Sequence, residues 1–303
     1  MNIEVVPYGG WEMCLRLANA EMELIVTAQV GPRVIRLGFL DGPNEFATYE
    51  EQLGQTGGDQ WRSYGGHRLW HAPEVRPRTT CPDNHPVSWW QEGDWLQLQA
   101  PPEAATGIRK EMAIRLDASR NHVQVVHRLT NLGPWAVTLA PWAITVMAPG
   151  GRAIVPQEPF RPHTEQLLPV RPVVLWSYTD MSDPRFTWGC RFIQMRQDVK
   201  AVAPQKFGVA NSLGWTCYVH QDRVFIKRFP FNERATYPDM GCNAECFTNQ
   251  RMLEMESLGP LAPLEPGATV AHQEDWHLFR HVSVGQTDEE IADALQPVLA
   301  QTL

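Results

Sequence analysis

The sequence predicts an all-β sandwich that forms a single domain over residues 1–303, and three observations support this prediction. Short segments rich in β-branched and aromatic residues recur along most of the chain, which is typical of strands. Glycine and proline separate these segments at short intervals, as they do in the turns of a sandwich. Helix patterns are few, and one all-β domain of this length is common.

The strands are predicted, in chain order, from runs in which apolar and polar residues alternate or in which β-branched residues dominate. These runs are residues 23–27, 33–37, 95–99, 110–116, 122–127, 136–146, 215–219, 223–227, 252–256 and 269–279. Gly31-Pro32 breaks the first two runs apart, and Gln221-Asp222 predicts a hairpin turn between two later ones. One helix is predicted near the C-terminus, with Asp288 as the N-cap of residues 289–295.

Two long segments, residues 48–88 and 148–172, show no clear pattern of strand or helix. The first is rich in proline, glycine, histidine and tryptophan, and the second is rich in proline. Long irregular segments inside a compact domain usually carry function, and the aromatic content of the first argues against disorder. We therefore expect tryptophan and histidine side chains between Trp61 and Trp90 to line a ligand site.

Composition and charge favour a small molecule as the partner. The formal net charge is -8 and no run of lysine and arginine occurs, so a nucleic-acid partner is not expected. No apolar run reaches the ~18 residues of a membrane span, and the N-terminus lacks a signal-peptide pattern. These features predict a cytoplasmic monomer or homodimer. The 12 tryptophans suit a carbohydrate, because indole faces stack on sugar rings.

The six cysteines do not predict a metal site. The closest pair, Cys242 and Cys246, has a spacing of four residues, and no second pair lies at the spacing of zinc ligands. Reduced and mostly buried thiols are the expectation for a cytosolic protein. We therefore predict that no metal and no cofactor is required.

The densest group of polar side chains is GGHRLWHAPE at residues 65–74. Its two glycines permit a close approach of the backbone to a ligand. His67 and His71 can exchange protons near neutral pH, and Arg68 offers a planar fork of donors. Trp70 adds an aromatic face. The same pattern also fits a packed turn with solvated histidines, but the convergence of several polar residue types favours a site.

These residues resemble a known superfamily, the galactose mutarotases or aldose 1-epimerases. The 65–74 segment is similar to the signature of an uncharacterised bacterial mutarotase-like family, and further motifs follow in the same order. They are the hairpin around residues 30–33, Asn84-His85-Pro86 before Trp89-Trp90, the strand 122–131 that ends in asparagine, and the strand 252–256 before Pro266-Gly267. The resemblance implies a galactose mutarotase-like β-sandwich, or supersandwich, with few short helices.

The resemblance also implies a mechanism in which a base removes the anomeric proton and an acid protonates the ring oxygen. Glu256 matches the family's catalytic glutamate, and Glu254 lies on the same face of the strand. Two carboxylates on one face raise the pKa of one of them, which helps a base to work near neutral pH. The competing interpretation is that the two glutamates lie on a solvated outer face of the strand. The family's strand histidine is missing, because Trp142 stands at its expected position. His67 is the predicted replacement, with His71 and His85 as alternatives.

Other polar residues are candidates for binding the substrate. Lys227 and Arg228, which follow Ile226, could hold an acidic sugar or a sugar phosphate, and Lys206, Asp239 and Glu245 are further polar candidates. Ordinary surface charge is the competing interpretation for this group. The predicted substrate-binding residues are Arg68, Trp70, His71, His85, Lys206, Lys227, Glu245 and Glu254.

Three functions therefore compete. The leading hypothesis is an aldose 1-epimerase-like isomerase that acts on a free or acidic sugar, with Glu256 as base and His67 as acid. The second is a carbohydrate-binding or regulatory domain without catalysis, which the missing strand histidine favours. The third is a lyase or epimerase for a uronate-type sugar that uses histidine, glutamate and an arginine clamp.

Overall fold

A computed structural model describes residues 2–303 and contains 21 strands, two α-helices and one 3₁₀-helix. The strands are β1 Ile3–Tyr8, β2 Trp11–Ala18, β3 Met22–Thr27, β4 Arg33–Phe39, β5 His67–Ala72, β6 Ser88–Glu92, β7 Trp95–Gln99, β8 Ile108–Leu116, β9 His122–Asn131, β10 Val137–Val146, β11 Arg152–Pro156, β12 Val173–Leu175, β13 Phe186–Trp188, β14 Phe192–Arg196, β15 Gln205–Val209, β16 Trp215–His220, β17 Arg223–Arg228, β18 Ala244–Thr248, β19 Leu253–Leu258, β20 Ala262–Leu264 and β21 Thr269–Phe279. The helices are α1 Pro238–Gly241, which is a single turn with left-handed backbone angles at Asp239 and Met240, α2 Asp288–Leu299 and the 3₁₀-helix Ala300–Thr302.

The strands form two large antiparallel sheets. The first sheet has 11 strands in the order β1-β2-β3-β4-β5-β10-β19-β18-β15-β12, with β20 paired to β10 outside this path. The second sheet has 10 strands in the order β13-β14-β11-β16-β17-β21-β9-β8-β7-β6. The prediction of an all-β sandwich with few short helices is therefore confirmed.

The main core lies between the two sheets, where their inward-facing side chains interdigitate. Phe46 makes edge-on contacts with Phe225 and Trp276, at centroid distances of 5.9 Å and 5.7 Å. All three rings are almost fully buried. Alternation along each strand sends the intervening side chains to the outer faces, and the outer face of the first sheet carries the cleft described below.

Helix α2 packs on the outside of the second sheet through Ile291, Leu295 and Val298. Its N-cap is Thr287 rather than the predicted Asp288, because the Thr287 hydroxyl accepts a hydrogen bond from the backbone N–H of Glu290. The Glu290 side chain in turn accepts a hydrogen bond from the N–H of Thr287, which completes a capping box. Within residues 2–303, no helix combines the length and apolar character needed to cross a membrane.

All ten predicted strands are present, and the hairpin turn at Gln221-Asp222 is confirmed. The interpretation of residues 48–88 and 148–172 as wholly irregular is corrected, because these segments contain β5 and β11. Both strands are buried at every position. Strands that are buried on both faces do not alternate in sequence, which removes the signal on which the prediction depended.

Candidate functional site: an aromatic cleft on the first sheet

A cleft of about 750 Å³ opens on the outer face of the first sheet, over the neighbouring strands β5, β10, β19, β18 and β15. Six aromatic side chains line it, together with charged and small polar groups from strands and loops. The aromatic lining consists of Trp61, Trp70, Trp142, Trp176, Tyr178 and Phe247. A cleft of this size with a few convergent polar groups is typical of a small-molecule site.

Strand register explains why the polar side chains converge on the cleft floor. Residues paired across neighbouring antiparallel strands project to the same face. One such row runs from Arg68 through Ile144 and Glu256 to Glu245 and reaches Gly208. A Cβ at Gly208 would lie 2.5 Å from the Cys242 sulfur and 3.3 Å from Cγ of Glu245, so glycine makes room for the Cys242 thiol and the Glu245 side chain.

Glu256 is the central acid of the floor, and its carboxylate is held by two donors. The indole Nε1 of Trp142 donates to Oε2 at 2.8 Å, and Nζ of Lys206 donates to the same oxygen at 2.9 Å. Only 1% of Glu256 is exposed. The charge is therefore compensated within the protein, while the residue still borders the cleft.

Lys206 links Glu256 to a second buried acid, because its Nζ also lies 2.7 Å from Oε2 of Glu245. Burial disfavours the Lys206 charge, but the two carboxylates outweigh burial and raise the pKa of Lys206 well above its ordinary value. For Glu245, burial and the charge of Glu256 outweigh the attraction of Lys206. They raise the pKa of Glu245 well above its ordinary value.

A second ion pair lies on the same face. Nη2 of Arg68 donates to Oε1 of Glu254 at 2.8 Å, and the guanidinium stacks 4.7 Å from the Trp70 ring centroid and 5.5 Å from that of Trp61. Trp61, Trp70 and Trp142 form a continuous row, with neighbouring centroids 5.3 Å and 5.4 Å apart. The cleft therefore combines flat apolar surface with paired charges.

The structure brings together six of the predicted site residues in and behind this cleft. Five of them line the cleft or its floor, and Glu245 lies behind Lys206. The six are Arg68, Trp70, Lys206, Glu245, Glu254 and Glu256.

His67 does not face Glu256, and the prediction that these two residues flank a ligand is corrected. Its neighbour Arg68 points into the cleft, so His67 points to the opposite face, into the space between the sheets. There Nδ1 lies 2.9 Å from the hydroxyl of Thr145, and Nε2 lies 2.7 Å from Nε2 of His127. His67 has no exposed surface, and burial lowers its pKa well below the ordinary value.

Lys227 is also buried between the sheets, where its Nζ lies 2.9 Å from Oε1 of Glu274. It therefore neutralises an internal acid, which corrects its predicted contact with substrate. The side chains of His67, His127 and Glu274 are close enough to share a cation. The Lys227 ammonium already neutralises the Glu274 carboxylate, and the two imidazoles are already hydrogen-bonded to each other.

His71 and His85 also lie outside the aromatic cleft. Nε2 of His71 is 3.2 Å from Oε2 of Glu103, whose Oε1 lies 2.6 Å from Nζ of Lys110. His85 is exposed and lines a separate groove that includes Glu103 and Lys110. A direct role for either histidine in the cleft is thus corrected. His71 is buried on β5 and projects to the face opposite Arg68 and Trp70, and His85 lies in the loop before β6.

The structure divides the tryptophans of the predicted aromatic loop between two places, since Trp61 and Trp70 line the cleft while Trp90 lies on β6 of the second sheet. The glycines before His67 also have another role. A Cβ at Gly65 would lie 2.1 Å from the Ala47 carbonyl oxygen, and one at Gly66 would lie 2.2 Å from that of Val34. These glycines let the backbone approach neighbouring strands rather than a ligand.

Sequence reasoning missed Trp176 and Tyr178, which line the cleft just beyond the second irregular segment. It also missed the contact between Trp142 and Glu256, although it singled out Trp142 as the replacement for the family's histidine. The available signal for Trp176 and Tyr178 was an aromatic pair beside a proline-rich segment. Such a pattern identifies candidate residues, but it does not show on which part of the fold their side chains lie.

No protein-family model and no curated protein matches the sequence. Solved structures do share the fold. The Slr1438 protein from Synechocystis is 12% identical, with a TM-score of 0.59, and the match covers 92% of this chain and 99% of that one. A galactose mutarotase-like protein from Lactobacillus casei is 10% identical, with a TM-score of 0.55, and covers 88% and 100%.

A galactose mutarotase-like protein from Clostridium acetobutylicum is 7% identical, with a TM-score of 0.54, and the match covers 92% of this chain and 99% of that one. Such low identities with nearly complete coverage define the fold alone. The chain has the galactose mutarotase-like β-sandwich fold, and this fold places the aromatic cleft on the outer face of the first sheet.

Proposed function

We propose that this chain is a carbohydrate-active isomerase of the aldose 1-epimerase type, with Glu256 as its base. The observation that carries the proposal is the position of Glu256 on the floor of an aromatic cleft of about 750 Å³. Indole faces suit the C–H faces of a sugar ring, and a carboxylate suits removal of a hydroxyl proton.

The proposed reaction begins when Glu256 takes the proton of the anomeric hydroxyl. The anomeric carbon then becomes a carbonyl, its bond to the ring oxygen breaks, and that oxygen takes a proton from a second donor. Rotation of the open chain and closure on the other carbonyl face give the second anomer. The protein contributes by orienting the ring against the indoles and by moving protons.

The paired charges of the cleft favour a neutral sugar over a uronate or a sugar phosphate. Nη2 of Arg68, the guanidinium that would clamp a carboxylate, is bound to Glu254 at 2.8 Å, and its Nε and Nη1 are buried without a hydrogen-bond partner. The Lys206 ammonium lies between two carboxylates. An anionic group entering the cleft would have to compete with these internal acids, whereas a neutral hydroxyl group needs no uncompensated positive charge.

A second candidate is a sugar-binding protein without turnover. It is favoured by one observation: no histidine belongs to the described lining of the cleft, so the acid of the related mechanism has no direct counterpart. Such a protein would use the same indoles and the same ion pairs for binding alone.

The two candidates are separated by measuring binding and turnover on the same sugars. Calorimetry across a panel of neutral aldoses, their 6-phosphates and uronates would report affinity. Exchange NMR between anomers would report mutarotation above the uncatalysed rate. We expect binding and exchange for at least one neutral aldose, both reduced by Glu256→Gln. Binding without exchange would support the second candidate, and no binding of any sugar would contradict both.

A further inference from the structure

The proposed isomerisation needs a second proton carrier, because the ring oxygen must gain a proton when its bond to the anomeric carbon breaks. The described cleft lining contains no histidine. Two groups donate to the Glu256 carboxylate, the indole of Trp142 and the ammonium of Lys206. The indole N–H donates hydrogen bonds but does not release its proton under ordinary conditions. Lys206 is therefore the remaining donor in contact with the base.

Building on the proposed function, we propose that Lys206 is the general acid that protonates the ring oxygen of the sugar. Lys206 lies on β15 and borders the cleft. Its Nζ is 4.8 Å from the ring centroid of Trp142 and 4.6 Å from that of Trp176. These cation–π contacts hold the ammonium between two walls of the cleft, beside the base and within reach of a ring that lies on the indoles.

The protons and electrons balance without any further reactant. Glu256 receives the anomeric proton, and the O–H electron pair forms the carbonyl bond. The bond between the anomeric carbon and the ring oxygen breaks, and its electron pair moves to the oxygen. That oxygen takes a proton from Lys206. The open-chain sugar then faces a neutral Glu256 and a neutral amine. Closure reverses each transfer, from either face of the carbonyl, and returns both groups to their starting charges.

Contact between Lys206 and Glu256 couples the two proton transfers. The negative charge of Glu256 is one of the causes that raise the pKa of Lys206. When Glu256 takes the anomeric proton, that cause disappears, and the ammonium holds its own proton less tightly. The acid is therefore protonated in the resting protein and becomes a better donor at the step that needs it.

Glu245 supports this arrangement from behind the cleft. It is buried, touches Nζ of Lys206 at 2.7 Å, and lies opposite Glu256 across the pair of strands β18 and β19. With a second acid on its other side, the lysine side chain is fixed in place. Glu245 is thus a positioning residue in this proposal, and Lys206 and Glu256 are the groups that exchange protons with the sugar.

The test compares Lys206→Met, Lys206→Arg and Lys200→Met in exchange NMR and calorimetry with the neutral aldose that the wild type converts. Lys206→Arg keeps the positive charge between Glu245 and Glu256 and so protects folding, but an arginine does not give up its proton. We expect both Lys206 variants to lose about 10²–10⁴-fold in kcat, with the sugar Kd changed less than about tenfold. Lys200 is exposed, and its variant should behave as the wild type.

The pH profile separates an acid from a merely structural residue. The wild-type rate should fall only above pH 10.5, the ordinary pKa of a lysine, because Glu245 and Glu256 raise the pKa of Lys206 above that value. This limb should be absent from the residual activity of Lys206→Arg. Wild-type kcat in Lys206→Arg would overturn the proposal, since charge alone would then suffice. Loss of activity in Tyr178→Phe with an active Lys206→Arg would transfer the role to Tyr178. A wild type that converts no sugar would instead refute the proposed isomerase itself.

Discussion

The indole nitrogen of Trp142 donates a hydrogen bond of 2.8 Å to Oε2 of Glu256, and this contact joins strand β10 to strand β19 on the cleft floor. Both side chains are almost fully buried. The residue predicted to replace the family's histidine therefore contacts the proposed base directly. Its indole N–H donates to the carboxylate but is not an acid under ordinary conditions, so the proposed reaction needs its second proton from another residue.

Glu256→Gln should lower the rate of anomer exchange by about 10²–10⁴-fold, because the amide has the size of the acid but cannot accept the anomeric proton. The fold should persist, because the change leaves no cavity and Lys206 keeps Glu245 as its partner at 2.7 Å. Exchange NMR would measure the rate and circular dichroism the fold. Glu12→Gln, at an exposed position of β2, is the matched control. An unchanged rate in Glu256→Gln would exclude this residue as the base.

Trp176→Ala should weaken sugar binding about tenfold or more, because an indole that covers a sugar ring contributes roughly 1.5–3 kcal/mol of apolar burial. Trp176 is only partly buried, so the loss of stability should be small. Calorimetry would measure Kd. Trp90→Ala removes an indole of the second sheet that is 43% exposed, and it should leave Kd unchanged. Equal effects of both substitutions would show that the sugar does not lie in this cleft.

Lys227→Met should destabilise the protein by about 3–5 kcal/mol, because it leaves the Glu274 carboxylate buried without its ion-pair partner. Adding Glu274→Gln should recover part of this loss, since the amide carries no charge. Urea denaturation would measure the free energy of unfolding. Under folding conditions Lys227→Met should bind sugar as the wild type does. A large change in Kd at preserved stability would restore the substrate-binding role predicted from the sequence.

Stability should fall in acid through Glu103. Burial opposes its charge, but Lys110 and His71 outweigh burial and lower the pKa of Glu103 from 4.5 to about 2. A carboxyl whose pKa is lower in the folded state stabilises the fold above pH 4.5, and this contribution is lost as the pH falls from about 5 towards 2. The full shift corresponds to about 3 kcal/mol.

The measurement for Glu103 is urea denaturation between pH 7 and pH 3. Glu103→Gln should be less stable than the wild type at pH 7, because Lys110 and His71 lose their buried partner. Its stability should then decline less steeply in acid than that of the wild type. Parallel acid profiles for the two proteins would show that Glu103 is not the group responsible.

Residues 122–127 illustrate what can be predicted locally. Their alternation identified a half-buried strand, and β9 is indeed His122–Asn131 with alternating burial. His67 illustrates the limit. It lies in β5, which is buried on both faces, so the sequence carries no alternation that would tell whether the histidine or its neighbour Arg68 faces a ligand. A shift of one residue in the strand exchanges the two faces.

The sequence by itself determined the class of fold, because strand patterns and turns depend on neighbouring residues. It also named Glu256, Arg68 and Trp70, which belong to recognisable motifs. Only the tertiary structure decided that Lys206, 50 residues from Glu256, would touch this acid, while His67 would not. That outcome depends on which strands become neighbours and on the register between them, and both are set by packing across the whole sandwich rather than by local pattern.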